Sequence, residues 1–393
     1  MATMGTMERI LRLMGEKKAS DVYLSAHAPA LIKINGQCLP INNQLLPPDA
    51  PKALLAEVLP EKRITELEET GELNMAHAID GVGNFRFSAM RQRGTYAAVI
   101  RYITTDIPPL DSLGVPAILG DLIMEKRGLL LMVGSTGAGK STTLAAMIDH
   151  RNSGRSGHIL TIEDPIEYLF EHRKSLVNQR EIGIDTHNYQ LSLQNALREA
   201  PDLIMIGEVR DKETMQSALL HTLTGHLCLT TIHANNSYHA LSRIINLFPH
   251  DARSAVLSDL SIGLRAIICQ RLIRNRDGQM QPAVEILLNT SLIAELIKNG
   301  EFTQIKEAME QSLYPGSQTF EQSLCRLYLD GVITYDEAMI GSDSPTNLAW
   351  LINQSNPTSR IDAMESQRRE ERTAPGADFS SMTINTDLLD RTH

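Results

Sequence analysis

The chain lacks any stretch approaching the roughly 20 uninterrupted apolar residues that a membrane-spanning helix needs. It also lacks paired cysteines. Cys38, Cys228, Cys269 and Cys325 are scattered with no Cys-x-x-Cys among them, which argues against a structural zinc site and suits a reducing compartment. Aromatic residues are scarce at 4%, too few for a surface that stacks bases, and the net charge of −10 has the wrong sign for wrapping a phosphate backbone. A nucleic-acid partner is therefore disfavoured. The opening "MATMGTMERILRLMGEKK" has no apolar core followed by a small-residue cleavage site, so no export signal is read and the cytoplasm is the expected compartment.

What is present is a globular composition, 42% apolar and 21% charged over 393 residues, with room for two domains and a tail. Met7, Ile10, Leu11 and Met14 recur at helical spacing and predict an amphipathic helix over Met7–Glu16. "DVYLS" and "ALIKINGQCLPI" follow, with Asn35-Gly36 between two apolar runs as a hairpin signal, and Phe85–Ile103 repeats the pattern about a turn near Gly94. A small α/β domain is expected over residues 1–105. The three prolines and two aspartates of "TTDIPPLDSLGVP" predict a linker over 106–117.

Beyond the linker the pattern changes to short, continuously apolar runs separated by helix-like stretches: "LLLMV", "HILTI", "LIMI", "LCLTTI" and "VEILL". Runs apolar on both faces and alternating with helices predict a mostly parallel sheet covered on both sides, over 118–341. From 342 to 393 the chain is polar, and a largely disordered tail is expected apart from a short helix around "NLAWLI".

"GSTGAGKST" places Gly134, Ser135, Thr136, Gly137, Ala138, Gly139, Lys140, Ser141 and Thr142 between an apolar strand and the helix-like "STTLAAMIDH". This is the phosphate-loop pattern in its required context. Backbone N–H groups and a helix N-terminus face a phosphate, Lys140 reaches the β/γ-phosphates of ATP, and the Ser141 hydroxyl can ligate Mg²⁺. In "LREAPDLIMIGEVRDKET" an apolar strand ends at Glu208. A carboxylate beyond the carboxyl end of a parallel strand can hold Mg²⁺ or its water, so Glu208 is the Walker-B-type acid, and a second candidate metal ligand beside Ser141.

Hydrolysis also needs a carboxylate to orient and deprotonate water. "TIEDPIEY" offers Glu163 and Glu167, between which spacing does not choose. "TGHLCLTTIHANNS" brackets a strand with His226 and His233. Their odd separation sends the side chains to opposite faces, and His233, at the carboxyl end, is the better placed to sense a γ-phosphate. Arg86, Arg91 and Arg101 near the small domain's last hairpin are candidate phosphate contacts, although strand arginines are more often solvated.

Together and in this order, these four motifs resemble the secretion ATPases of type II and type IV pilus systems, over roughly residues 5–340. The short N-terminal region, "KASDVYLS" and the absence of a Cys-x-x-Cys element are similar to the pilus retraction (PilT/PilU) branch, and the long polar tail to its PilU side. One departure is "SLIAELIKNGE", which lacks the arginine of that branch's Ala-Ile-Arg element. The resemblance implies a PAS-like N-terminal domain joined to a RecA-like domain and assembled as a homo-hexamer. It implies Lys140 and Ser141 on nucleotide and metal, Glu167 as the catalytic glutamate, and Glu208 at the Walker B position. His226 and His233 become the His box, and Arg86 and Arg101 the N-terminal arginines that contact nucleotide phosphates.

The expected function is that of an ATP- and Mg²⁺-dependent motor for pilus retraction and twitching motility, as a main or an accessory motor. Its expected partners are an inner-membrane platform protein and a companion retraction ATPase, met from the cytoplasmic side without a membrane-spanning segment. An assembly or secretion ATPase of the same family, and a weakly hydrolysing regulator of a partner motor, are the alternatives.

Overall fold

The computed structural model describes residues 5–355 apart from 35, 80, 81, 104, 105 and 313. Six strands precede the linker: β1 Asp21–Ser25, β2 Pro29–Ile34, β3 Gln37–Leu45, β4 Glu72–Ile79, β5 Gly83–Gln92 and β6 Thr95–Ile103. They form one antiparallel sheet in the order β3-β2-β1-β6-β5-β4. The expected hairpins are present. β2 pairs with β3 up to Ile34 opposite Gln37, and β5 pairs with β6 up to Gln92 opposite Thr95. Between the latter two, Arg93 and Gly94 both have positive φ (49° and 74°), the geometry a two-residue turn needs to match strand twist. The helix Thr6–Lys17 buries Met7, Ile10, Leu11 and Met14, the four residues whose spacing predicted it. These pack with Phe85, Phe87 and Ile100 in a core that belongs to this sheet alone.

Seven further strands follow: β7 Gly128–Val133, β8 Gly157–Glu163, β9 Ser175–Glu181, β10 Leu203–Ile206, β11 Leu227–Ile232, β12 Leu264–Arg274 and β13 Met280–Leu288. Their order is β13-β12-β7-β11-β10-β8-β9, and every pair from β12 to β9 is parallel. All residues of β7, β10 and β11 are buried, as continuous apolar runs in a doubly covered sheet must be. The fold is α/β, a PAS-like antiparallel domain with a RecA-like phosphate-loop domain built on a mostly parallel sheet.

Three strands went unpredicted, β4 in the first sheet and β9 and β12 in the second. β9 is an edge strand of alternating burial, and β12 is an apolar run interrupted by Arg265, Gln270 and Arg271. By contacts the described chain divides into two compact units, Met1–Leu272 with Pro282–Thr319, and Ile273–Gln281 with the segment from Phe320 onward. Within the second unit the expected helix at "NLAWLI" is present as Pro345–Ser355, burying Leu348 and Ile352. The rest of the predicted tail, from 356, lies outside the described residues.

Parallel pairing is what positions the site. Val133 pairs with Ile232, and Ile206 pairs with both Thr230 and Ile162, so the carboxyl ends of β7, β11, β10 and β8 form one level edge. Whatever follows each of these strands is delivered there.

Candidate active site

β7 runs into the loop 134–139, and the helix Lys140–Gly154 begins at once. Its N-cap, Gly139, has φ 80° and supplies no side-chain cap, so the first-turn N–H groups are left for an anion. Glycine at 134 and 139 also answers to crowding. A Cβ at Gly134 would lie 2.6 Å from the Gln270 carbonyl oxygen, and one at Gly139 2.8 Å from the Gln270 side-chain nitrogen. Gln270, on β12 and buried, donates from Nε2 to the Ala138 carbonyl at 2.9 Å and accepts from Thr143 Oγ1 at 2.9 Å. One amide thus ties the loop to the first turn of its helix.

Lys140 is buried, its ammonium donating to the Gly134 and Ser135 carbonyls at 2.9 and 2.8 Å. Burial lowers its pKa, while the carboxylates of Glu208 and then Glu167 act in the opposite direction. These acids share a cavity of about 480 Å³ with the loop, lined by Thr136, Gly137, Gly139, Lys140, Ser141 and Thr142 on one side and by Glu163, Glu167, Glu208 and His233 on the other. That volume lies in the range of small-ligand sites.

Glu208 follows β10 and is engaged on both oxygens, by Arg210 Nη2 on one and by His233 Nε2 at 3.2 Å on the other. Glu163 ends β8. Its carboxylate accepts from Thr161 Oγ1 at 2.7 Å and Gln179 Nε2 at 3.2 Å, and burial pushes its pKa up to about 7. Tyr189 lies beside Gly207, and burial followed by the nearby Asp164 and Glu208 carboxylates raises its phenol.

Of the expected residues, Gly134, Ser135 and Ala138 of the loop, and His226, Arg86 and Arg101 away from it, do not line this cavity. His226 precedes β11 where His233 follows it, so the six residues of the strand lie between them, seven steps or roughly 23 Å. There His226 Nδ1 faces the His221 carbonyl at 3.1 Å and Thr224 Oγ1 at 3.2 Å. Arg86 and Arg101 pair across β5 and β6. Arg101 Nε is held by Asp21 at 2.9 Å, and Arg86 places its charge near Glu181. Arg91, five residues further along β5, donates to the Glu68 carbonyl and lies over the Tyr96 ring.

Gln270, Arg210, Tyr168 and Tyr189 were missed in the sequence. A lone glutamine in the apolar run "AIICQ" and the arginine two residues past Glu208 were the available signals. Tyr168, whose hydroxyl meets Thr142 Oγ1 at 2.8 Å, and Tyr189 gave none.

Ser141 and Glu208 are hard oxygen donors on one cavity, the donor type that Mg²⁺ takes. Among the described residues no three His, Cys, Asp or Glu gather as a group that could hold a metal.

A glycine-braced phosphate loop and a set of carboxylates on the carboxyl edge of a RecA-like sheet define a phosphate-loop nucleotide-hydrolysing enzyme. A family model described as "Type II/IV secretion system protein" matches residues 10–324. The chain is 46% identical to the Type IV pilus ATPase PilU of Pseudomonas aeruginosa, over 88% of this chain and 91% of that one. It is 36% identical to the retraction ATPase PilT of the same organism, over 86% and 98%. A crystal structure of the pilus retraction motor PilT with bound ADP superposes with a TM-score of 0.81 at 40% identity, covering 88% of this chain and 99% of that one. The chain belongs to the type II/IV secretion system protein family. Of these two P. aeruginosa proteins, it is the more similar to PilU, as its polar tail suggested.

Proposed function

We infer that this chain is an ATP hydrolase that powers type IV pilus retraction. The observation that carries the reading is the convergence of Lys140, Ser141, Glu167 and Glu208 on one cavity, in a chain 46% identical to a pilus ATPase over nearly all of both. Lys140, exchanging the Gly134 and Ser135 carbonyls for phosphate oxygens, holds the β- and γ-phosphates against the free N–H groups of the loop and the first turn. Ser141 and Glu208 are the residues that would hold Mg²⁺, which supplies neutralisation of phosphate charge when bound.

Glu167 takes a proton from the attacking water as its oxygen bonds to the γ-phosphorus. The bond from that phosphorus to the β–γ bridging oxygen breaks, leaving ADP and phosphate. Glu163, buried and held by Thr161 and Gln179, supports the same turn as a positioning residue. His233, through its contact with Glu208, reports whether a γ-phosphate is in place.

In the layout we propose, residues 1–105 are the PAS-like domain, 106–117 the linker, 118–341 the ATPase domain and 342–393 a polar tail. Arg86 and Arg101, which lie outside the cavity, are the residues that closure would bring to the nucleotide phosphates, so that gain and loss of the γ-phosphate close and open the two domains. Around a homo-hexameric ring, each closure moves a neighbour through a head-to-tail interface. The load is an inner-membrane platform protein, engaged from the cytoplasm by a motor peripheral to that membrane, with a companion retraction ATPase as a further partner. No helix among the described residues is long and apolar enough to cross a membrane.

Glu167→Ala and Glu208→Ala are each expected to abolish phosphate release while ATP binding stays largely intact. Wild-type turnover in either would refute the role given to that residue. In cells without the gene, labelled pili should remain on the surface but fail to retract, and their complete loss would point instead to an assembly motor.

A further inference from the structure

The amino-terminal edge of the parallel sheet, opposite the phosphate loop, carries a second cavity of about 780 Å³. Lys126, Arg127, Arg155 and Arg265 line it, with Asp121 and Glu125 as the only carboxylates among its lining residues. In a chain of net charge −10, such a concentration of cations runs against the overall balance. Among the described residues none of the four has an ion pair within 4.0 Å.

The cavity is built from inside the fold. Arg155 Nη1 donates to the Met124 carbonyl at 3.1 Å, and Arg151, only 2% exposed, donates from Nη1 to the Ile123 and Glu125 carbonyls at 2.6 and 2.9 Å. Two guanidinium groups thus hold the 123–125 segment from behind. Arg151 Nη2 is buried and has no hydrogen-bond partner. Burial, and after it the charge of Arg155, lowers the Arg151 pKa to about 10. Gly128, at the start of β7, leaves the space that the Arg265 side chain fills, because a Cβ there would collide with Arg265 Cγ. Lys126 and Arg127 are exposed, and Arg155 and Arg265 half-buried, so the charge extends from mouth to floor.

Uncompensated, partly desolvated cations are costly, and an anion between them removes the cost. Guanidinium forks match the oxygens of phosphate bidentately. No aromatic side chain lines the cavity to stack a base, which disfavours a nucleotide. We propose that this cavity binds a phosphate-class oxyanion, presented either as free phosphate or as the headgroup of an acidic phospholipid.

The test uses the full chain and two probes. Inorganic phosphate is titrated against thermal unfolding, in the wild type and in Lys140→Ala, which removes the phosphate grip of the catalytic cavity. Vesicles of phosphatidylcholine, with and without phosphatidic acid, are used for co-sedimentation. Arg265→Ala, and separately the exposed pair Lys126→Ala/Arg127→Ala, which should leave the fold and ATP turnover unchanged, are compared throughout.

Stabilisation by phosphate that persists in Lys140→Ala, and needs roughly tenfold more phosphate in Arg265→Ala, supports the site with free phosphate as its source. No response to free phosphate, with binding to phosphatidic-acid vesicles that both sets of substitutions weaken, supports it with a headgroup as the source. The proposal is overturned if neither probe binds, or if binding survives unchanged in Arg265→Ala and in Lys126→Ala/Arg127→Ala.

Discussion

Glu163 offers a prediction whose size follows from its surroundings. Its carboxyl is buried at the end of β8, and burial raises its pKa from 4.5 to about 7, against the pull of hydrogen bonds from Thr161 and Gln179. In the unfolded chain the same group titrates near 4.5. Between those two values the folded protein holds a proton that the unfolded chain releases. The favourable contribution is therefore complete below the unfolded pKa and lost as pH rises through the folded one. At about 1.4 kcal/mol per pKa unit, the loss comes to about 3 kcal/mol.

Glu163→Gln keeps the shape and cannot titrate, so any change in its hydrogen bonding is a constant offset. Relative to wild type, the variant should gain about 3 kcal/mol between pH 4.5 and pH 8, read from urea unfolding midpoints without added nucleotide. A difference between the two proteins that stays flat over that range would refute the account of the buried, proton-holding carboxyl.

Gln270→Ala should lower stability by roughly 2–4 kcal/mol, because it strands the Ala138 carbonyl and the Thr143 hydroxyl and opens a cavity. It should also raise the KM for ATP about tenfold through a loosened loop, and an unchanged KM would show that the loop holds its form without this brace. Gly207→Ala places a Cβ 2.8 Å from the Tyr189 hydroxyl, which should cost about 1–3 kcal/mol. Most of that cost should disappear in the double variant with Tyr189→Phe, and strictly additive effects in thermal unfolding would locate the clash elsewhere.

The elements legible in the sequence were those whose burial is uniform. β7, β10 and β11 are apolar at every position because both faces of the sheet are covered, and each run stands out against its turns. β9 alternates between buried and exposed as an edge strand does, and in "SLVNQRE" that leaves only two apolar residues to notice. β12 was hidden by Arg265, Gln270 and Arg271, polar residues that a central strand excludes unless they have work to do. Gln270 braces the phosphate loop, which is 132 positions away from it in the chain at Ala138. No local pattern encodes such a pairing. The phosphate loop and the acids after β8 and β10 were legible because each is a local break in an apolar run. Which further side chains join them, such as Tyr168 and Tyr189, was not, since that depends on the packing of segments distant in the chain.

The pairing of charges in the cavity bears on how a motor of this kind changes state. Glu208 has one oxygen on Arg210 and the other on His233, and Arg210 also lies 3.9 Å from Asp164. Lys140 is satisfied by two loop carbonyls. Lys140 and Glu208 thus already have protein partners, so nucleotide entry exchanges their contacts and strands neither charge. The Lys140 ammonium has only to swap neutral carbonyls for phosphate oxygens, a net gain in charge-assisted hydrogen bonds. In the metal-binding role proposed for Glu208, its carboxylate would instead give up a cation to face a metal, and that move would release Arg210, which is 64% exposed in its side chain and lies between the loops after β8 and β10. A carboxylate in that role would thereby free the arginine that ties two strand ends together. A local exchange of partners would in this way be coupled to the relative freedom of the two loops that carry the proposed catalytic acids.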